Sequence, residues 1–180
     1  VKEALTLKGA IFAHGRQMGK TLILPVRWNL ATAKPVLGTN PTEKLLTNGI
    51  RGSLKYSDFE WCSWADNDSV SFTIDLLKLE MLNTLILGCI TNNGMAIHKP
   101  ASVRVEVSDD NSKFREAVVQ SFTSEEIFRE GNFIENLSLK LGGTQARYVR
   151  VTAKGPGVCP ASHVRPGQTS RIFFDEVMLE

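Results

Sequence analysis

Hydrophobic and polar residues alternate along most of this chain. Val103, Val105 and Val107, for example, alternate with polar residues, and such a period of two places one face of a β-strand on a core and the other in water. Segments of this kind, or short apolar runs bounded by turn residues, occur at 4–13, 20–29, 70–76, 82–90, 102–109, 114–122, 133–141, 146–154 and 171–179. The pattern predicts an all-β protein built as an antiparallel β-sandwich.

The first part of the chain predicts a separate hairpin. The strands at 4–13 and 20–29 flank a glycine-bearing connection. Residues 31–42 then have the Pro, Gly, Thr and Asn content of a linker. We therefore predict two parts, a hairpin with its linker at 1–38 and a main domain at 39–180.

A single helical turn is predicted between the strands, at 123–131. Thr123 or Ser124 can cap it, and Glu126 stands at the position from which a side chain reaches back to the cap.

Composition and charge narrow the class of protein. The chain has 180 residues, of which 42% are hydrophobic and 22% charged, as in ordinary globular domains. Its net charge of +2 is small and its basic residues are dispersed, which excludes the usual nucleic-acid binder. Its apolar runs fall short of the roughly 18 residues of a membrane span. Three cysteines without a CxxC spacing argue against a zinc ribbon or a disulfide framework, although one bridge stays open.

The chain predicts no catalytic apparatus of its own. A glycosidase needs two carboxylates about 5 to 9.5 Å apart in a cleft, whereas the pairs Asp109–Asp110 and Asp175–Glu176 are sequence neighbours, and neighbours on a strand point to opposite faces. Cys159 and His163 could form a nucleophile and base, but the proline-rich stretch between them offers no oxyanion hole.

Several motifs, taken in order, resemble the coagulation factor V/VIII type C domain, also called discoidin-like. They are LTNGIRGS (46–53), a Trp-bearing loop, VSFTIDL (70–76), SVRVEVSDDNSKF (102–114), ARYVRVTAKG (146–155) and FFDEVML (173–179). The bacterial relatives of that family are the family 32 carbohydrate-binding modules. The resemblance covers roughly residues 38–180 and implies a jelly-roll sandwich of the galactose-binding type that binds a glycan without cleaving it.

A closer likeness extends over the whole chain. Residues 6–36 resemble the end of the small immunoglobulin-like domain that precedes such a module in bacterial family 20 glycoside hydrolases, the β-N-acetylhexosaminidases. RGSLKYSDFEWCSW (51–64) and the long stretch 155–177 are similar to the matching parts of their C-terminal modules. The resemblance implies an ancillary module of an enzyme exported to the periplasm, the cell surface or the medium, with a catalytic domain before Val1 as its partner. The implied ligand is a terminal galactose or N-acetylhexosamine.

Two tryptophans stand just before the strand at 70–76. Trp61 and Trp64 are candidates to stack on a sugar, since an indole offers a large rigid face and an N–H donor. Three residues apart in a loop, they cannot both point to one strand face. One ring could therefore lie in the core and the other be exposed to bind the sugar, or both rings could plug the end of the sandwich.

Two connecting segments carry candidate hydrogen-bonding residues. Asn92, Asn93 and His98 lie between two strands and could select sugar hydroxyls, although Asn and Gly also suit a plain turn. The long loop 154–170 contains His163 and Arg165, which resemble polar partners in the ligand sites of the family, and Arg can fork two hydrogen bonds. Its alternatives are a contact with another domain and a cover for a sheet edge.

The motif LTNGIRGS resembles the structural calcium loop of the family. The resemblance implies ligands at Asn48, Ser53 and Glu176. The family usually has Asp where Asn48 stands, and the lost charge should weaken calcium, which prefers carboxylate and carbonyl oxygens. The alternative is a turn without metal.

Two rival functions remain. The module could be purely structural and pack against a catalytic domain without binding sugar. Membrane binding, as in vertebrate relatives, would need exposed apolar residues next to basic ones, and Met95, Ile97 and Lys99 form only a faint version.

Overall fold

The computed structural model describes residues 5–26, 28–64 and 69–180. Their strands are β1 (Leu5–Ala13), β2 (Arg16–Val26), β3 (Val36–Leu37), β4 (Cys62–Trp64), β5 (Ser69–Asn92), β6 (Ser102–Ser108), β7 (Arg115–Ser121), β8 (Asn132–Lys154) and β9 (Ile172–Leu179). Their helical turns are two 3₁₀ segments, Glu43–Thr47 and Asn93–Met95, and one α-helical turn, α1 (Ser124–Ile127). In these ranges no helix is long and apolar enough to cross a lipid bilayer.

Two long strands, β5 and β8, build both layers of a sandwich. Residues 69–75 of β5 pair with 148–154 of β8, and this half also carries β3, β6 and β7. The other half of β5 pairs with the first half of β8 and with β9, which in turn pairs with β4. All these pairings are antiparallel. One buried cluster with members such as Phe72, Leu85, Val151 and Phe174 joins the two halves, so the predicted all-β antiparallel sandwich is confirmed.

The segments 70–76 and 82–90, predicted as two strands, form the single strand β5. In the same way 133–141 and 146–154 form β8. Register shifts between Asp75 and Glu80 bend the pair of strands without ending their pairing. The polar and glycine residues that separate the apolar runs mark this bend, not a break between strands.

The hairpin of β1 and β2 is confirmed, with a tighter turn than the sequence predicts. His14 and Gly15 alone form the connection, with φ angles of 49° and 75°, which is the geometry of a two-residue turn that matches strand twist. Large apolar side chains of the hairpin are more than half exposed: Leu7, Ile11, Phe12, Met18, Leu22 and Ile23. Within the described residues this apolar surface lacks a covering partner. A two-stranded hairpin without such a partner is only marginally stable in water.

The stretch that was expected to be a linker contacts the sandwich. Leu30 N donates to Leu179 O at 3.1 Å, Asp75 N donates to Pro35 O at 3.0 Å, and Ala31 is fully buried. The domain boundary near residue 38 stays a prediction, and these contacts attach the residues just before it to the sandwich.

The predicted helical turn is confirmed at α1. Thr123 caps it, since its hydroxyl accepts from Glu126 N while the Glu126 carboxylate accepts from Thr123 N. This reciprocal pair satisfies two donors at the start of the helix.

Candidate functional site

Three connections meet at one end of the sandwich, which we call the loop end. They are residues 93–101, 122–131 and 155–171. Backbone hydrogen bonds tie them together, with Asn93 N donating to Gly131 O at 3.3 Å and His98 N donating to Arg171 O at 3.1 Å. The structure therefore brings five predicted residues to the same end: Asn92, Asn93, His98, His163 and Arg165.

Two of these residues, His98 and His163, bind each other. Their Nε2 atoms are 3.1 Å apart, and His98 is fully buried while His163 is 9% exposed. Burial, and then the charge of His163, lower the pKa of His98 to about 4, because a buried ring resists protonation. All four ring nitrogens have hydrogen-bond partners, which are Ser170 and the other histidine for His98, and His98 and Arg165 N for His163. Sugar contact by either residue stays a prediction.

The side-chain oxygens of the two asparagines differ in whether they have a hydrogen-bond partner. Asn92 Oδ1 accepts from Met95 N at 3.2 Å and so caps the second 3₁₀ segment. Asn93 is buried, and its Oδ1 has no hydrogen-bond partner among the described residues; the same holds for the Thr91 hydroxyl two positions earlier. Buried polar atoms without a partner are uncommon. The Asn93 oxygen can accept a hydrogen bond from a ligand or from water, and the Thr91 hydroxyl can donate or accept one.

Arginines give the loop end its exposed positive charge. Arg165 is exposed. Arg129, which sequence reasoning missed, lies over the Phe133 ring at 4.0 Å and 4.0 Å from Glu135. Arg171, also missed, donates to Met95 O at 3.2 Å, and its Nε has no partner in the described ranges. A basic residue next to an aromatic residue in space leaves no trace in a sequence pattern.

The residues proposed for membrane contact are mostly inside the protein. Ile97 is fully buried against Trp61 and Phe173, and Lys99 is 6% exposed and pairs with Glu135 at 3.0 Å. Membrane binding requires exposed apolar residues beside a basic one, and Ile97 and Lys99 do not meet this requirement because both are buried.

Both candidate tryptophans are buried, so the arrangement with one exposed ring is not the one found. Trp64 stacks on Phe72 at a ring distance of 6.2 Å and meets Phe174 edge-on at 5.6 Å. Trp61 donates its indole N–H to Ser53 O at 3.0 Å, and a Cβ at Gly52 would overlap its ring. The two rings close different sides of one sheet, the inner side at Trp64 and the outer side at Trp61. The structure supports the other arrangement, in which both rings are packed inside the protein.

The third tryptophan, Trp28, lies outside the candidate site. It is 44% exposed and lines a cleft of about 520 Å³ with Lys78, Glu80 and Asn83, at the end of the sandwich opposite the loop end. The sequence pattern alone does not distinguish it from Trp61 or Trp64, because exposure depends on what packs around each ring.

The residues proposed for calcium lie around one buried carboxylate. Glu176 is fully buried, its Oε2 accepts from Gly49 N at 3.0 Å, and its Oε1 has no partner among the described residues. Burial raises its pKa to about 9. Asn48 Oδ1 accepts from Ile50 N, and Ser53 bonds within its own loop to Lys55 and Asp58. The unpartnered buried oxygen fits a cation, while Ser53 is directed elsewhere.

An antiparallel sandwich with its connecting loops gathered at one end defines a class of β-sandwich binding modules. The sequence model of the F5/8 type C domain matches residues 31–164, and the chain belongs to this family. A comparison with curated proteins found no match to the sequence.

Solved structures agree with this assignment of the fold. Chitosan-binding module 1 of a Paenibacillus sp. IK-5 chitosanase/glucanase is 16% identical with a TM-score of 0.55, over 86% of this chain and 99% of that one. CpGH89CBM32-6 of Clostridium perfringens is 18% identical with a TM-score of 0.54, over 85% and 98%. A Streptococcus pneumoniae fucose-binding module, SpX-3, is 17% identical with a TM-score of 0.51, over 86% and 98%. At these identities the likeness establishes the fold.

Proposed function

We propose that this chain is a noncatalytic carbohydrate-binding module that holds a terminal sugar at the loop end. The observation that carries the proposal is the meeting of three loops at one end of the sandwich, where Arg165 is exposed and the buried Asn93, with Thr91 at the adjoining end of β5, keeps a polar atom without a partner among the described residues. Sugar hydroxyls both donate and accept, and a buried polar group left unpaired without them penalises ligands that lack them. Family membership and relatives named for chitosan and fucose binding support the same class of ligand.

The parent protein in this proposal is an exported glycoside hydrolase, a β-N-acetylhexosaminidase of family 20. The support is the resemblance of residues 6–36, 51–64 and 155–177 to the corresponding parts of those enzymes. One such site would bind a galactose or N-acetylhexosamine residue weakly, at about millimolar affinity or ~4 kcal/mol. Weak binding suffices because it raises the effective concentration of glycan near the linked catalytic domain.

A structural role is the second candidate, and exposed apolar surface favours it. Leu77, Leu79 and Met81 at the bend of β5 are each at least half exposed, as are the apolar side chains of the hairpin. Large exposed apolar patches mark contact surfaces. If this role is the main one, deleting the module should lower the melting temperature of the longer enzyme, while no sugar should bind the isolated module.

We further propose a structural calcium ion at the loop 46–53. Glu176 Oε1 would be its carboxylate ligand, with the Asn48 side-chain oxygen and carbonyl oxygens of the loop completing a set of oxygens of the kind that calcium prefers. Ser53 stays a predicted ligand. The ion would neutralise a buried carboxylate and join β9 to the loop, and so would stabilise this side of the sandwich.

Replacing Arg165 with alanine is expected to weaken sugar binding at least tenfold. A hydrogen bond to a charged group contributes about 1.5–3 kcal/mol, and the exposed side chain can be removed without disturbing the core. Titration calorimetry with galactose, N-acetylgalactosamine, N-acetylglucosamine and fucose measures the affinity. Arg115→Ala is the matched control, since Arg115 is exposed and donates to Gln145 O at 2.8 Å beside the bend of β5 and β8, at the end of the sandwich opposite the loop end.

Three results bear on the proposal. Weaker binding by Arg165→Ala together with unchanged binding by Arg115→Ala supports the loop end as the site. Equal binding by wild type and Arg165→Ala removes that residue from the site. Absence of heat with every one of these sugars, and with oligosaccharides that end in them, contradicts carbohydrate binding.

A further inference from the structure

Three side chains that commonly bind transition metals meet where the long loop 155–171 packs against the connection 93–101. They are His98, His163 and Cys159, all buried, and their potential ligand atoms lie within 4.8 Å of one another. They come from two separate connections of the loop end, and no spacing in the sequence links His98 to the other two. In a tetrahedral zinc site the ligand atoms are roughly 3.3–3.7 Å apart, so a small contraction would bring this set to bonding distance.

The hydrogen bonds around His98 leave the lone pair of its Nε2 atom available to bind a metal. Ser170 donates its hydroxyl hydrogen to Ala96 O at 3.2 Å, and its oxygen is 2.6 Å from His98 Nδ1. Since that hydrogen is already committed, Ser170 must accept from Nδ1–H. His98 Nε2 therefore carries a lone pair that points into the cluster. Metal-bound histidines usually donate their other N–H to such a second partner, which holds the ring in place.

His163 needs one rearrangement. Its Nδ1 accepts from Arg165 N at 3.0 Å, so its Nε2 carries the proton and donates to His98. To bind a metal through Nε2, that proton must move to Nδ1, which breaks the hydrogen bond from Arg165. The Cys159 thiol must lose its proton to solvent, as metal binding to cysteine requires. The exchange costs the hydrogen bond from Arg165 N, the hydrogen bond between the two imidazoles and one thiol proton, and it forms three metal–ligand bonds.

We propose that His98, His163 and Cys159 bind one divalent transition metal ion of the zinc type, with a water molecule as fourth ligand. A set of two imidazoles and one thiolate suits zinc and cobalt and is a poor match for calcium, so this site is distinct from the oxygen-rich loop around Glu176. The bound ion would join the loop 155–171 to the connection 93–101. Both carry candidate sugar-binding residues, and the ion would hold their relative positions.

The test is a cobalt titration of the whole chain after treatment with a chelator, with excess calcium present to fill the other proposed site. We expect one equivalent of cobalt to give the visible bands of a tetrahedral ion and a sulfur-to-cobalt charge-transfer band. Zinc should displace the cobalt. Cys159→Ser should abolish the charge-transfer band, and His98→Gln should weaken cobalt binding at least tenfold.

The chain supplies matched controls for both ligand types. Cys62 is another fully buried cysteine, and its Sγ lies 3.1 Å from Thr42 Oγ1; His14 is exposed in the hairpin turn. Cys62→Ser and His14→Gln should leave the bands and the stoichiometry unchanged. Absence of a charge-transfer band in the wild type overturns the proposal without any variant. A band that persists in Cys159→Ser, or that is lost in Cys62→Ser, overturns the assignment of the ligands.

Discussion

Replacing Trp64 with alanine should lower the free energy of unfolding by about 3–5 kcal/mol, the usual cost of removing a large aromatic side chain from a core. Trp64 is 8% exposed, stacks on Phe72 and meets Phe174 edge-on. Among the described residues the three-residue strand β4 pairs with one strand, β9, so loss of the Trp64 ring removes a large part of what holds β4 on the core. Urea unfolding followed by circular dichroism measures the change.

Phe59→Ala is the control, because Phe59 is 92% exposed and such substitutions usually change stability by less than about 0.5 kcal/mol. The result also decides how any loss of sugar binding in Trp64→Ala is interpreted. If Trp64→Ala folds with nearly wild-type stability and yet loses sugar binding, the packing role described here is wrong and a direct contact regains support. A large loss of stability makes the variant uninformative about the sugar contact.

Replacing Glu176 with glutamine should stabilise the calcium-free protein at pH 7 by about 1–3 kcal/mol. Burial raises the pKa of Glu176 from its usual 4.5 to about 9, and each unit of pKa shift is worth about 1.4 kcal/mol. The folded protein therefore keeps a proton that the unfolded chain releases. The wild-type free energy of unfolding should be highest below about pH 4.5 as far as this group is concerned, and should fall as the pH rises towards 9. Glutamine removes that dependence.

Calcium should reverse the order of stability, so that the wild type melts at a higher temperature than Glu176→Gln. The ion competes with the proton for Glu176, so it should raise the melting temperature of the wild type increasingly from pH 6 to pH 9, whereas Glu176→Gln should gain little. Thermal unfolding with a chelator or with millimolar calcium at each pH measures both effects. A calcium response of equal size in the two proteins would contradict Glu176 as a ligand, and a flat pH profile in the calcium-free wild type would contradict the raised pKa.

Asp175, the neighbour of Glu176 in the chain, differs from it in its hydrogen-bond partners. It is as deeply buried, but Arg51 Nε and Gly52 N both donate to its Oδ2, at 2.6 and 2.9 Å. Asp175 is therefore paired with a guanidinium and a backbone N–H, whereas Glu176 keeps one oxygen without a partner among the described residues. The sequence presents the two as equivalent neighbours, and only their partners distinguish the candidate ligand from the ion pair.

The strands were predictable because alternation is local. Val103, Val105 and Val107 are all fully buried, as their spacing requires, and the cap at Thr123 follows from residues three positions apart. The continuity of β5 through its bend was not predictable, since a register shift depends on the partner strand. The same limit explains the tryptophans: a loop position indicates neither which side of a sheet a ring will meet nor whether Gly52 will leave space for it.

The candidate sites divide in the same way. The sequence by itself determined the antiparallel sandwich, the hairpin and the set of loop residues that could act, because periodicity, turn residues and motif order are properties of neighbours in the chain. Only the tertiary structure decided that both predicted tryptophans are packed inside, that His98 meets His163 and Cys159, and that Glu176 holds an unpartnered oxygen. The histidine contact and the position of Glu176 depend on residues 65 and 127 positions apart, which meet only when the chain has folded into its sandwich.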